Sequence, residues 1–194
     1  MFADDIRSFD RWARYYDLAM PGASTASLSA GLDAAERPVE RLVDLAGGTG
    51  RAAVALDVPD RIVLDAAGGM LARARDRGLA CVQGDARRLP LGTDSVDAVT
   101  IVDALHHVPD WEAVFAEVAR VLAPGGVFVV AEFDPATLPG RVLVAGERAI
   151  GFDSQFATPA SLVASLSAAG FEATVVEGGF GYTVAGVVPK QGTE

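Results

Sequence analysis

The sequence predicts an α/β protein in which a mostly parallel sheet carries helices on both faces. Three observations predict it. From Arg41 onward, short runs rich in Val, Ile and Leu alternate with segments of helical character. Those runs are apolar on both faces, as expected of strands covered by helices on either side. The first of them ends in a glycine turn, Val43-Asp44-Leu45-Ala46-Gly47-Gly48-Thr49-Gly50, which leads into an alanine-rich segment able to start a helix.

The elements follow in order. Met1 to Met20 reads as an amphipathic helix, with Phe2, Ile6, Phe9, Trp12, Ala13, Tyr16 and Ala19 near one face, and Pro21-Gly22 breaks it. Thr25 to Glu36 is a second helix of small residues, ended by Pro38. The strands are Arg41–Ala46, Arg61–Asp65, Ala80–Gln83, Val96–Val102 and Val127–Phe133, with helices near Gly50–Asp57, Gly69–Arg77 and Trp111–Leu122 between them. Pro124-Gly125-Gly126 makes a tight turn into the fifth strand. Leu138–Ile150 forms a helix. Thr158–Ala169 forms another, with Thr158 as its N-cap, Pro159 in its first position and Gly170 ending it. Two last strands, Glu172–Glu177 and Tyr182–Val188, flank Gly178-Gly179-Phe180-Gly181 as a hairpin added to one edge of the sheet. The expected organisation is one domain over 1–194, with a helical cap at 1–38, a cofactor-binding core at 39–134, and helices plus the hairpin at 135–194.

Composition narrows the function classes. With 26 acidic against 16 basic residues the net charge is −10, which argues against a nucleic-acid partner, because phosphate binding needs a basic surface. Lys190 is the sole lysine, and an acidic, lysine-poor surface fits a protein kept soluble at high salt. No apolar run reaches the roughly 18 residues of a membrane span, and Met1-Phe2-Ala3-Asp4-Asp5 lacks the layout of a secretory signal. Cys81 alone makes no internal disulfide and is expected as a buried strand residue, so a cytoplasmic location is the default expectation.

The glycines after Asp44 let the backbone turn sharply and approach a ligand with no Cβ in the way. Asp65, at the end of the second strand, stands where a ribose is gripped through its hydroxyls. Gly48-x-Gly50-x-x-Ala53 also satisfies the looser dinucleotide fingerprint, so NAD binding is a rival at this stage. After the third strand comes Gln83-Gly84-Asp85-Ala86. There Asp85 can accept from an adenine amine while the Ala86 N–H serves a ring nitrogen, a role with no counterpart in the dinucleotide reading. Asp97 to Val108, which contains Asp103, His106 and His107, and then Arg120-Val121-Leu122-Ala123-Pro124-Gly125-Gly126 complete the ordered set.

With these motifs in place the chain resembles the class I S-adenosylmethionine-dependent methyltransferases (type 11 group) over roughly residues 9 to 188. Asp44 to Gly50 is the version typical of ubiquinone and menaquinone C-methyltransferases. Phe9-Asp10-x-Trp12-Ala13-x-x-Tyr16-Asp17 and Glu132-Phe133 are similar to theirs. The resemblance implies a Rossmann-like sheet of seven strands, the last antiparallel, with S-adenosylmethionine as cofactor and a small-molecule acceptor. It places Gly48 and Thr49 beside the methionine part, Asp65 on the ribose, Met70 near the adenine, and Asp85 and Ala86 at the adenine edge. It makes Tyr16 a lid, and Asp44 an anchor of the turn whose charge favours a cationic cofactor. His106-His107 stands where the quinone enzymes usually carry Arg-Asn, and Asp134 to Pro159 is short for covering an isoprenoid tail.

The two histidines are adjacent and cannot both face one site along an extended or helical stretch. No Cys or acidic cluster nearby in sequence has zinc-ligand spacing, so no metal is expected. His106 is the expected base or hydrogen-bond partner of the acceptor. Asp103 is expected to orient an imidazole, bind the cofactor's amino group or cap the following helix, and Arg87-Arg88 to be a solvated loop pair. A cofactor-binding protein without transferase activity remains as an alternative.

Overall fold

The computed structural model describes residues 24–149, 151 and 154–190. The helix expected over Met1–Met20, and Tyr16 with it, lies outside the described residues. The described elements run α1 (Thr25–Leu32), β1 (Arg41–Leu45), α2 (Arg51–Ala55), β2 (Asp60–Asp65), α3 (Gly68–Asp76), β3 (Ala80–Gln83) and β4 (Val96–Val102). A short 3-10 turn (Leu105–His107) follows, then α4 (Trp111–Val121), β5 (Leu122–Phe133), α5 (Leu138–Ala149), α6 (Pro159–Ala168), β6 (Glu172–Glu177) and β7 (Gly181–Val187).

The strands form one seven-stranded sheet in the order β3-β2-β1-β4-β5-β7-β6. β1 to β5 pair in parallel, while β7 runs antiparallel to both β5 and β6. The terminal hairpin therefore joins the sheet by its second strand. Side chains alternate across the sheet by the period of two. Val43, Leu45, Val99, Ile101, Phe128 and Val130 pack with α4 and α6 on one face, through Phe115, Val118, Leu162 and Leu166. Leu42, Ala98, Val127, Val129 and Ala131 pack with Leu28 of α1 on the other. Chain order reverses between β1 and β4, and the carboxyl ends of strands at such a switch point form the crevice where ligands bind.

Several boundaries differ from expectation, for local reasons. Helix α1 stops at Leu32 rather than Glu36, because the Glu36 N–H is drawn to the Gly125 carbonyl at 2.8 Å. Pro124-Gly125-Gly126 is a bulge inside β5 rather than a turn before it: the register passes from Val96↔Leu122 directly to Ala98↔Val127. Gly125 there has φ +79°, and a Cβ would lie 2.8 Å from Lys190 Cε. Cys81 lies on the edge strand β3 and is half-buried rather than buried. Helix α6 begins as expected, with Thr158 Oγ1 accepting the Ser161 N–H at 3.2 Å. None of the described helices is long and apolar enough to cross a membrane.

Candidate functional site

The glycine turn is held from below by two buried carboxylates. Asp44 accepts from the Thr100 hydroxyl of β4 at 3.0 Å and from the Ala53 N–H of α2 at 3.2 Å. It thereby ties the end of β1 to its neighbouring strand and to the helix beyond the turn. Burial pushes its carboxyl up to about 6, against the two hydrogen bonds, which pull the other way. Asp65, at the end of β2, accepts the Gly48 N–H at 2.8 Å through one oxygen and the Ala67 N–H at 2.7 Å through the other. Gly48 has φ +56° and Gly50 φ +77°, and the Gly50 N–H closes the turn onto the Gly47 carbonyl at 2.8 Å. A Cβ at Gly47 would meet Asp44 Oδ2 at 2.5 Å, so the turn passes directly over that carboxylate.

A cavity opens above this turn at the switch point. Asp44, Gly48, Thr49, Asp65 and Met70 line it, together with Asp103 from the end of β4 and His107. At Gly48 the space a Cβ would take is open, its nearest neighbour being Met70 Sδ at 3.9 Å. The missing side chain leaves that space to a ligand. Five cofactor residues read from the sequence thus converge on one cavity.

Asp85 and Ala86 do not line it. Arg87, two residues on, holds the Asp85 carboxylate through Nη2 at 2.6 Å and Nε at 3.0 Å. That hydrogen-bonded pair keeps the Asp85 carboxyl at about 2. Asp85 is thus engaged in an exposed ion pair with Arg87, a solvated loop residue as expected. Ala86 packs into the core beside Leu89.

His107 lines the cavity, whereas His106 turns away from it. His106 Nδ1 lies 2.8 Å from Glu132 Oε2 and 3.0 Å from Oε1, its Nε2 lies 3.6 Å from Glu147 Oε1, and its ring stacks on Phe156 at 4.7 Å. Burial works against its charge, yet the charges and hydrogen bonds of the two glutamates prevail and raise its pKa to about 10. An imidazolium has no lone pair with which to take a proton, which counts against the base role expected of His106. Burial and the neighbouring His106 charge lower His107 to about 4, which leaves it neutral and able to accept a hydrogen bond.

Asp103 is held at φ +50°, with its N–H on the Ala131 carbonyl at 2.9 Å. Burial, then the charge of Glu132, push its carboxyl up to about 7. It lines two cavities at once: the one above the glycine turn and a second cleft with Glu132, Glu177, Phe180 and Tyr182. The Ser27 hydroxyl of α1 donates to Glu177, and both residues line that cleft. The helix-cap alternative for Asp103 falls away, because the turn at Leu105–His107 has no side-chain cap and Asp110 caps α4.

Sequence reasoning missed three participants. Thr100 looked like an ordinary strand residue. Glu132 was visible at the end of β5, on the same sheet edge as Asp103, without a role. Glu147 arrives from α5, forty positions after His107, and no local pattern signals it.

Residues 43–130 match the methyltransferase domain family. The chain is 44% identical over 134 residues to a demethylmenaquinone methyltransferase of Beutenbergia cavernae, covering 64% of this chain and 56% of that protein. It is 40% identical over 141 residues to the protein of the same name from Mycobacterium sp. strain KMS, covering 66% and 59%. The chain thus spans less than two thirds of the length of these relatives. Among solved structures, a SAM-dependent methyltransferase from Thermotoga maritima superposes with a TM-score of 0.74 at 24% identity over 93% of this chain and 98% of that one. An S-adenosylmethionine dependent methyltransferase from Mesorhizobium loti gives 0.65 at 22% identity over 85% and 98%.

Proposed function

We propose that this chain, which carries the methyltransferase domain of the class I S-adenosylmethionine-dependent fold, binds S-adenosylmethionine above the glycine turn and transfers its methyl group to a small-molecule acceptor. The observation that carries this reading is the convergence of Asp44, Gly48, Thr49, Asp65, Met70 and Asp103 on one cavity at the switch point. Asp65, at the end of β2, lines this cavity and presents its carboxylate as an acceptor for ribose hydroxyls. Gly48 leaves room for the methionine portion, and Met70 gives an apolar wall to the adenine side. Asp103 offers a carboxylate to the amino group of the cofactor.

The cofactor supplies a methyl group already activated on sulfur. On transfer, the broken bond's electron pair would remain on sulfur and the acceptor's pair would form the new bond to the methyl carbon. What remains for the chain is alignment and exclusion of water, and orientation of that kind is worth on the order of 7–11 kcal/mol. Asp103 lies between the two cavities and so marks the boundary between donor and acceptor, with the acceptor in the cleft of Glu132, Phe180 and Tyr182. The neutral His107 orients a polar atom of the acceptor by a hydrogen bond.

Within the small-molecule class, the names of the relatives favour quinone-type C-methylation. Incubation with methyl-labelled cofactor and a panel of demethylated quinols, phenols and amines tests the proposal. Label in an extracted product together with release of S-adenosylhomocysteine is expected. Cofactor binding without transfer to any of the panel would favour a binding protein instead.

A further inference from the structure

His106 and His107 are the chain's only histidines. Adjacent side chains diverge on a strand or helix, but these sit on a 3-10 turn entered through Asp103 at φ +50°. Their ring centroids are 4.1 Å apart, tilted by 48°. Helix α5 lays Glu147 against them, and one ligand atom from each of His106, His107 and Glu147 lies within 4.8 Å of the others. The second oxygen of Glu147, Oε2, is buried with no hydrogen-bond partner among the described residues. On the far side of the His106 ring, Nδ1 is engaged by Glu132.

We propose that His106, His107 and Glu147 hold a divalent transition metal of the zinc type, with Glu132 as the carboxylate that fixes the ring of His106. Two imidazole nitrogens and one carboxylate oxygen are the donor set of zinc sites that keep a fourth position open. A tetrahedral ion with bonds of about 2.0–2.1 Å needs ligand atoms about 3.3 Å apart. The 3.6 Å from His106 Nε2 to Glu147 Oε1 is already close to that spacing, and rotation of the His107 and Glu147 side chains covers the rest. Metal binding would displace the proton that the metal-free imidazolium of His106 carries on Nε2, and Glu132 on Nδ1 directs that nitrogen toward Glu147. That is the carboxylate–histidine–metal arrangement that orients a ligating imidazole. Two glutamates set against the two rings also supply the negative charge a dication needs. His107 lines the cavity above the glycine turn as well, which puts the ion at the wall of that cavity. This inference goes beyond the proposed methyl transfer and does not depend on it.

The test uses the full chain, free of any affinity tag and stripped with chelator, titrated with Co²⁺ by absorbance and with Zn²⁺ by calorimetry. One equivalent of Co²⁺ with visible bands of a four- or five-coordinate site, displaced by Zn²⁺, is expected. Glu147→Gln and His107→Ala should each weaken binding at least tenfold, and Glu132→Gln should weaken it about 10- to 100-fold. Asp76→Asn on the exposed end of α3 should leave it unchanged. Circular dichroism checks the fold, and Glu147→Gln, which keeps the side-chain shape, decides the matter if His107→Ala does not fold. Absence of saturable binding, or wild-type affinity in folded Glu147→Gln, would overturn the site. S-adenosylhomocysteine titrated into the same samples separates that outcome from failure of the cofactor reading.

Discussion

Asp65 and Gly48 are joined by a hydrogen bond of 2.8 Å from the glycine N–H to the carboxylate. It fastens the end of β2 to the turn after β1. The residue proposed to hold the ribose and the residue proposed to flank the methionine part are therefore one mechanical unit. Whatever disturbs the carboxylate disturbs the turn.

Asp65→Ala should accordingly weaken S-adenosylhomocysteine binding by more than tenfold. It removes an acceptor whose charge-assisted hydrogen bonds are worth roughly 1.5–3 kcal/mol each. Asp110→Ala is the matched control, because Asp110 accepts the Ala113 N–H at 3.1 Å as the N-cap of α4. Its loss should cost about 1 kcal/mol of stability and leave affinity unchanged. Calorimetry on both variants checks the pair, and equal affinities would remove Asp65 from the ribose role.

Alanine at Gly50 should destabilise the fold by about 1–3 kcal/mol. Its φ of +77° disfavours a side chain, and the new Cβ would lie 2.4 Å from Leu79 Cδ1. Gly47→Ala acts differently: its Cβ would press on the Asp44 carboxylate. Because that Cβ would also lie 2.8 Å from the Asp44 backbone carbonyl, which cannot move aside cheaply, the variant should lose stability and cofactor affinity together. Denaturant unfolding beside ligand titration measures both effects.

Asp65 and Gly48 were legible from a local pattern, a strand end and a glycine turn, whereas Thr49 and Met70 came from the resemblance; the structure brings all four to one cavity. The parallel order of β1 to β5 followed from alternation of apolar runs and helices. The bulge at Pro124–Gly126 was not legible, since Pro-Gly-Gly reads as a turn and only pairing with both β4 and β7 turns it into an interruption of one strand. The orientation of His106 was not legible either. It depends on Glu132 and Glu147, which come from a different strand and a different helix, and sequence spacing carries no record of such a meeting.

His106→Ala should behave as a structural lesion. Removing the imidazole leaves Glu132 and Glu147 without their cationic neighbour, and breaking a buried ion pair of this kind costs about 3–5 kcal/mol. Thermal unfolding should show a clear drop, while His107→Ala should unfold near the wild type and lose turnover. A His106→Ala protein of wild-type stability would contradict the assignment.

The pH dependence of stability should carry a signature of Asp44. Its carboxyl sits near 6 in the fold against an ordinary 3.8, because it is buried. Between about pH 4 and 6 the folded state binds more protons than the unfolded one, so this group lowers stability as pH rises through that window and adds nothing further above it. A shift of about two units corresponds to roughly 3 kcal/mol at most. The stability of Asp44→Asn relative to wild type should therefore rise by about 2–3 kcal/mol from pH 4 to pH 7 in urea titrations. A constant difference would mean that Asp44 does not titrate in this way.

Thermal unfolding with S-adenosylhomocysteine, set beside NAD and NADP, tests the central claim most directly. The antiparallel β7 stands next to β5, where a second parallel mononucleotide-binding half would continue a dinucleotide fold. S-adenosylhomocysteine at a hundredfold excess over its dissociation constant should stabilise the protein by about 2.7 kcal/mol and raise the melting temperature, while NAD and NADP leave it unchanged. A shift with NAD or NADP and none with S-adenosylhomocysteine would contradict that claim.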